Sequence, residues 1–270
     1  MPPLVSVVMP AFNMEETIEE ALVSCENQTY RHLEVIVVDD GSIDRSAAVA
    51  EQVATRMRRP VRVIRRPHVG IPGQVRNSGL RHARGSLIQF LDSDDVITVG
   101  KIARQVELIS RSPLRGHVGA YCDYAFFRTL PDSTRVAERR GPEDRQHWPK
   151  HPARQFQAYT VIHRFLFPAA ALREVGGFDP SLSHTEDLDL WLRLLAQGVR
   201  FVYRNEVDAF YREHISHSLS HPAAEARCRA RVALRVRGYA SGTALGPLAA
   251  KELEALEAWA SQVLTEERAE

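Results

Sequence analysis

Short apolar runs alternate with helix-length segments through the first hundred residues: VSVVM (5–9), EVIVV (34–38), VRVI (61–64) and SLIQFL (86–91). Between them the pattern predicts helices from about residue 15, from about 44 and over about 72–83. Runs that are apolar at every position belong to strands covered on both faces. The series therefore predicts an α/β fold with a mainly parallel sheet flanked by helices. Asn13 with Glu16 resembles a capping box, and Asp44 offers the second helix the same kind of cap. Open α/β sheets bind ligands beyond the carboxyl ends of their strands, which directs attention to 10–13, 39–42, 67–76 and 92–95.

Past residue 100 the pattern loosens. It predicts a helix over about 100–111, a strand pair within 117–137, and a mobile loop in the polar stretch PDSTRVAERRGPEDRQHWPKHP (131–152). A second ordered block follows, with FPAAALREVGGFD (167–179), a helix in EDLDLWLRLLAQG (186–198) and VRFVYRNEVDAFYREH (199–214). From about 222 the chain is rich in Ala, Arg and Glu with apolar residues at helical spacing, so 222–270 is expected to be a helical C-terminal extension of a domain spanning 1–221.

Composition narrows the function without naming it. The chain has 270 residues, 44% hydrophobic and 26% charged, with a formal charge of +1. Its basic residues are spread out, which argues against a nucleic-acid partner. Lysine occurs only at 101, 150 and 251, as a GC-rich coding sequence would give. Cys25, Cys122 and Cys228 are odd in number and outside any CxxC pattern, so neither a disulfide framework nor a zinc site is expected. No basic n-region precedes the first apolar run and nowhere do 18 apolar residues follow one another. The reading is a soluble, cytoplasmic protein.

The stretch IQFLDSDD (88–95) places three carboxylates in four residues behind a core strand. Asp92, Asp94 and Asp95 cannot all ionise comfortably at close range without a cation among them. Mg²⁺ or Mn²⁺ takes one or two carboxylates and keeps its remaining positions for water and phosphate oxygens; the plain alternative is a solvated turn capping a helix. EVIVVDDGS (34–42) ends a second strand with paired carboxylates, chemistry suited to a ligand with imide or hydroxyl hydrogens. Arg76, in RNSG (76–79), can pair with a diphosphate.

Taken together, SVVMPAFNMEE (6–16), EVIVVDDGSID (34–44), GIPGQVRNSGL (70–80), GSLIQFLDSDD (85–95), VGGFD (175–179) and TEDLDLWLRLLAQG (185–198) resemble the family 2 glycosyltransferases of the GT-A fold, in family order and spacing over about 4–218. The resemblance implies a Rossmann-like nucleotide-binding half (1–98) and an acceptor-binding half (99–221). It implies a nucleotide-sugar donor, with UDP the family's commonest carrier, and transfer with inversion to the hydroxyl of a glycan, lipid-linked or small-molecule acceptor. Pro10, Ala11 and Asn13 match the first nucleotide loop, Asp40 the base contact with Asp39 close by, and Arg76 an arginine reaching the donor. Asp92 and Ser93 match the start of the Asp-x-Asp motif beside the ribose. Asp94 matches the ligand of Mn²⁺ or Mg²⁺, and His214 a histidine that some members add to it. Asp187 matches the catalytic base, with Glu186 and Trp191 on the acceptor side.

Each assignment has a structural competitor. Thr185 reads as an N-cap, and Glu186, Asp187 and Asp189 would complement the helix dipole. Trp191, Leu192, Leu194 and Leu195 have core spacing, which favours packing for Trp191. His214, His217 and His221 lack the glutamate of the zinc helix, leaving only His214 as a ligand. Arg56, Arg58, Arg59, Arg62, Arg65 and Arg66 read as a solvated edge. The chain lacks the membrane spans and Gln-x-x-Arg-Trp motif of processive synthases, which implies single-sugar transfer, and 138–155 is expected to be an acceptor-side lid. The turn PAFNME excludes a dinucleotide fingerprint and is unsuited to a nucleotidyltransferase. A catalytically silent GT-A-like module is the alternative from another class, countered by the full set Asp40, Asp92, Asp94 and Asp187. Peripheral membrane contact through EARCRARVALRVRG (225–238) is weakened because its arginines do not gather on one face.

Overall fold

The computed structural model describes residues 2–129, 135–139 and 161–213, together with Val232 and Ala258. His214, residues 140–155 of the expected lid, and the extension 222–270 apart from those two positions lie outside the described residues. The elements run β1 (Val5–Ala11), α1 (Ile18–Glu26), β2 (Leu33–Asp39), α2 (Ser46–Ala54), β3 (Val61–Arg65), α3 (Pro72–His82), β4 (Leu87–Phe90), β5 (Val96–Ile97) and α4 (Lys101–Arg111). They continue with β6 (Val118–Thr129), β7 (Arg135–Arg139), a 3₁₀ turn (Ile162–Arg164), β8 (Phe165–Pro168), α5 (Ala169–Glu174), α6 (Glu186–Ala196) and β9 (Arg200–Arg212).

One mixed sheet carries these strands in the order β3-β2-β1-β4-β8-β6-β9-β5, with β7 paired to β6. The first four are parallel neighbours, whereas β8 joins β4 and β6 antiparallel and β9 runs parallel to β6. Alternate side chains of each central strand enter opposite cores because successive Cβ atoms point to opposite faces. Val5, Val7, Met9, Val35 and Val37 meet α1, α2 and α4 through Ile18, Leu22, Ala50, Val53, Ile102 and Val106. Val8, Ile36, Val38, Ile88 and Phe90 meet α3, α5 and α6 through Val75, Leu80, Leu172, Leu190 and Leu194. Both faces being covered explains why the sequence shows unbroken apolar runs.

The chain crosses from β3 at one edge to β4 on the far side of β1, so the strand order reverses between β1 and β4. This is a topological switch point, and folds of this kind bind ligands in the crevice beyond the carboxyl ends of such strands. Two local expectations are corrected there. Asn13 does not cap α1; it adopts a left-handed backbone (φ 54°), receives the Ile43 N–H on Oδ1 and donates its own N–H to Ser42 Oγ. Its short polar side chain tolerates this conformation and ties the first loop to the second. Thr185 is likewise left-handed (φ 58°), and its hydroxyl donates to the His184 carbonyl rather than capping α6. Asp44, by contrast, accepts the Ser46 N–H at the start of α2. The expected strand pair within 117–137 is β6 with β7, and β7 runs two residues further, to Arg139, into the stretch expected to be a loop.

Candidate active site

The candidate site draws on β1, β2, α3, α6, β9 and the acidic turn that follows β4. Pro10 and Ala11 close β1 opposite Val38 and Asp39 of β2. Asp39 is buried; its Oδ2 accepts the Ser42 N–H at 3.3 Å, while Oδ1 is buried with no partner among the described residues. Asp40 is committed to the fold. Its carboxylate accepts N–H groups from Val69 and Gly70 at 3.1 and 2.9 Å, with Arg66 Nε 3.4 Å and His68 Nδ1 3.0 Å away. Arg66 therefore leaves the solvated basic edge to which Arg56, Arg58 and Arg65 belong, each paired there with a surface glutamate. Beside Asp40 the ring of Phe12 stacks on His68, centroids 4.1 Å apart and planes at 22°. The signal for Phe12 in the sequence is an aromatic placed between Ala11 and Asn13 just past an apolar run.

Arg76 of α3 reaches from the second core to the acidic turn. It donates to Asp92 Oδ1 at 2.7 Å and to Glu186 Oε1 at 2.6 Å, with its guanidinium 5.6 Å from the Phe178 ring. Burial disfavours its charge, but Asp92, Glu186 and Asp187 outweigh burial and raise its pKa. Proximity of α3 to β1 permits this reach. At Gly79, one turn beyond Arg76, a Cβ would overlap Val8.

The first turn of α6 carries three carboxylates with three different fates. Asp189 pairs with Arg193, Nε to Oδ2 at 2.8 Å, and Glu186 pairs with Arg76. Asp187 is half-buried and, among the described residues, accepts only the N–H of Leu188. Burial and then the adjacent Glu186 carboxylate push Asp187 well above the ordinary carboxylate range, against the pull of Arg76. Trp191, one turn further on, packs half-buried against the second core.

In the acidic turn, Ser93 and Asp95 are buried and Asp92 and Asp94 half-buried. The Asp95 N–H donates to the Asp92 carbonyl at 3.1 Å, closing the turn. Burial pushes Asp95 up to about 6 despite His163 beside it. Tyr211, near the end of β9, is also shifted up, first by burial and then by the charges of Asp95, Asp92, Asp94 and Asp187. Among the described residues no three His, Cys, Asp or Glu side chains form a ready-made metal cluster. Asp94 and the Oδ2 of Asp92, which Arg76 leaves open, supply hard oxygen donors of the kind that share Mg²⁺ or Mn²⁺ with phosphate oxygens.

Residues 6–174 match the model of the family described as glycosyl transferase family 2. The chain belongs to this family. Similar proteins include the chondroitin synthase of Escherichia coli, 30% identical over 197 residues that make up 73% of this chain and 27% of that one. The chain spans 33–59% of the length of several other curated relatives, each a glycosyltransferase by name. Among solved structures, TarS 1–349 of S. aureus in complex with UDP-GlcNAc superposes with a TM-score of 0.71 at 21% identity, over 97% of this chain and 71% of that one. The mannosyltransferase PcManGT of Pyrobaculum calidifontis, in complex with GDP-Man and Mn²⁺, gives 0.65 at 18% identity, over 100% and 76%. The fold is that of the GT-A glycosyltransferases. No helix among the described residues is long and apolar enough to cross a membrane.

Proposed function

We propose that this chain transfers one sugar from a UDP-sugar to an acceptor hydroxyl with inversion, with Asp187 as general base and Mg²⁺ or Mn²⁺ held at Asp94. The observation that carries the reading is the division of labour on α6: Glu186 and Asp189 are each ion-paired with an arginine, whereas Asp187 has no ion pair among the described residues and lies close enough to Glu186 and Asp92 for their charges to raise its pKa.

On the donor side, the buried Asp39 Oδ1 is an acceptor in want of a donor, and the N3–H of uracil has that chemistry. The sequence favoured Asp40 for this contact, but the Asp40 carboxylate is already held by the 66–70 loop, so the role passes to Asp39. Phe12 and His68 supply the apolar wall beside it. A guanine N1–H would satisfy Asp39 equally; the likeness to TarS with UDP-GlcNAc, and the family's usual carrier, favour uridine. Asp92 and Asp94 would hold the ion, which as a Lewis acid stabilises the departing diphosphate. Arg76 fixes Asp92 and keeps Glu186 from turning toward Asp187.

Acceptor activation rests on Asp187. A base works best when its pKa lies near the working pH, and a buried carboxylate beside a second carboxylate is raised toward that condition. It takes the proton of the incoming hydroxyl as that oxygen bonds to the anomeric carbon and the diphosphate leaves from the opposite face. One displacement inverts the centre. The product's anomeric configuration, read by proton NMR coupling constants during turnover of an α-linked UDP-sugar, tests this: a β-linked product agrees, and an α-linked product contradicts it.

A further inference from the structure

Packed against the acidic turn is a second polar layer that the donor reading does not use. Asp95 and His163 are each 1% exposed, with His163 Nδ1 2.9 Å from Asp95 Oδ2. The other oxygen of Asp95 accepts the backbone N–H of Arg212 at 2.8 Å. Arg212 Nε in turn donates to the Asp94 carbonyl at 2.8 Å, and its guanidinium reaches Glu20 of α1 at 2.7 Å while lying 4.4 Å from the Phe127 ring centroid. His163 is itself fixed: its carbonyl accepts Gln89 Nε2 of β4 at 2.9 Å, and its ring stacks on Tyr211. The 3₁₀ turn, the end of β9 and α1 thus hold one four-residue turn from below.

Such a layer is an expensive way to fill a core. A buried polar or charged pair is often no more stabilising than apolar residues of the same volume, and one that is retained commonly fixes one arrangement among several. The arrangement at stake here is the shape of the turn. With Asp95 drawn inward and the Asp94 carbonyl tethered, Asp92 and Asp94 are left half-buried at the crevice, where their mutual repulsion would otherwise open the turn.

We propose that His163, acting through Asp95, is a positioning residue for the diphosphate and metal site, with Arg212 bracing the same turn from β9. The inference rests on the donor reading above. Partners one shell out from a metal ligand typically change metal affinity by about 10–100-fold when removed.

The test is calorimetric titration of UDP into the full chain with and without Mn²⁺, for the wild type, His163→Phe and His163→Asn. The phenylalanine keeps the ring packed on Tyr211 but removes both nitrogens, whereas the asparagine returns an N–H near the position of Nδ1. The expected result is that His163→Phe loses about tenfold or more of the Mn²⁺-dependent gain in UDP affinity. Its metal-free UDP affinity stays within about twofold of the wild type, and His163→Asn recovers most of the gain. Should His163→Phe fail to fold, Arg212→Gln is titrated in the same way, with the same selective loss expected. A full Mn²⁺ gain in the folded variant overturns the proposal, as does an equal fall of metal-free and metal-dependent binding, which would mark a general structural role. If the wild type itself gains nothing from Mn²⁺, the metal reading fails and this inference with it.

Discussion

Arg76 and Glu186 stand 110 positions apart in sequence and 2.6 Å apart in space, and the same guanidinium holds Asp92 at 2.7 Å. One buried cation therefore spans the acidic turn that would receive the donor and the helix start that would activate the acceptor. Removing it leaves Glu186 buried and unpaired, a change that typically costs about 3–5 kcal/mol. Arg76→Met should lower urea-unfolding stability by an amount of that order. Arg76→Lys, which lacks the planar fork, should recover only part of it.

Asp187→Asn separates binding from chemistry. The amide keeps the size of the side chain and can still accept the Leu188 N–H, so UDP affinity should stay within about twofold. Transfer should fall by about 10²–10⁴, the usual contribution of a positioned general base. Rates from a coupled assay of UDP release, set beside calorimetric UDP affinities, check both halves.

The same residue gives a pH signature of opposite sign in activity and stability. The folded carboxyl has a raised pKa, so over the window between the unfolded and folded values the native state binds a proton that the unfolded state does not. Stability then falls as pH rises through that window. Activity, which needs the ionised base, rises across it. Asp187→Asn cannot ionise and should be more stable than the wild type above the window, the difference closing as pH falls. Urea unfolding of both proteins from pH 4 to 8 reads this directly; identical pH profiles would contradict the raised pKa.

Gly79→Ala probes how α3 delivers Arg76. Its methyl would overlap Val8 of β1, and an overpacked core contact of this kind costs about 1–3 kcal/mol. Lifting α3 from the sheet also moves Arg76, so weaker UDP binding should accompany the lower stability. Alanine at Gly176, where no atom lies within 4 Å, meets no such overlap; any cost there comes from its φ of 79° alone.

The parallel half of the fold was legible because burial on both faces writes an unbroken apolar run. The strands at 5–11, 33–39, 61–65 and 87–90 lie close to where those runs lie. What the sequence could not show is how polar side chains divide their partners. Asn13 and Thr185 carry the right residue type for caps, yet both take left-handed backbones in which the side chain turns elsewhere, Asn13 to Ile43 of the second loop and Thr185 to the carbonyl of its neighbour His184. Asp39 and Asp40 look interchangeable as letters, and only the folded 66–70 loop, which saturates Asp40, tells them apart. His163 and Arg212 left no trace, since their link to the acidic turn crosses 68 and 117 positions and follows no period. Arg76 was found from its motif, but its bridge to Glu186 needed the packing of α3 beside α6.

The central claim is that the acidic turn holds a nucleoside diphosphate through a divalent ion at Asp94. It is tested most directly by titrating UDP, GDP and dTDP into the wild type and into Asp94→Ala, each with and without Mn²⁺. The account predicts that UDP binds the wild type more tightly with Mn²⁺ and that Asp94→Ala loses this gain while keeping the metal-free affinity. Binding that is indifferent to Mn²⁺, or a gain that survives Asp94→Ala, would contradict it.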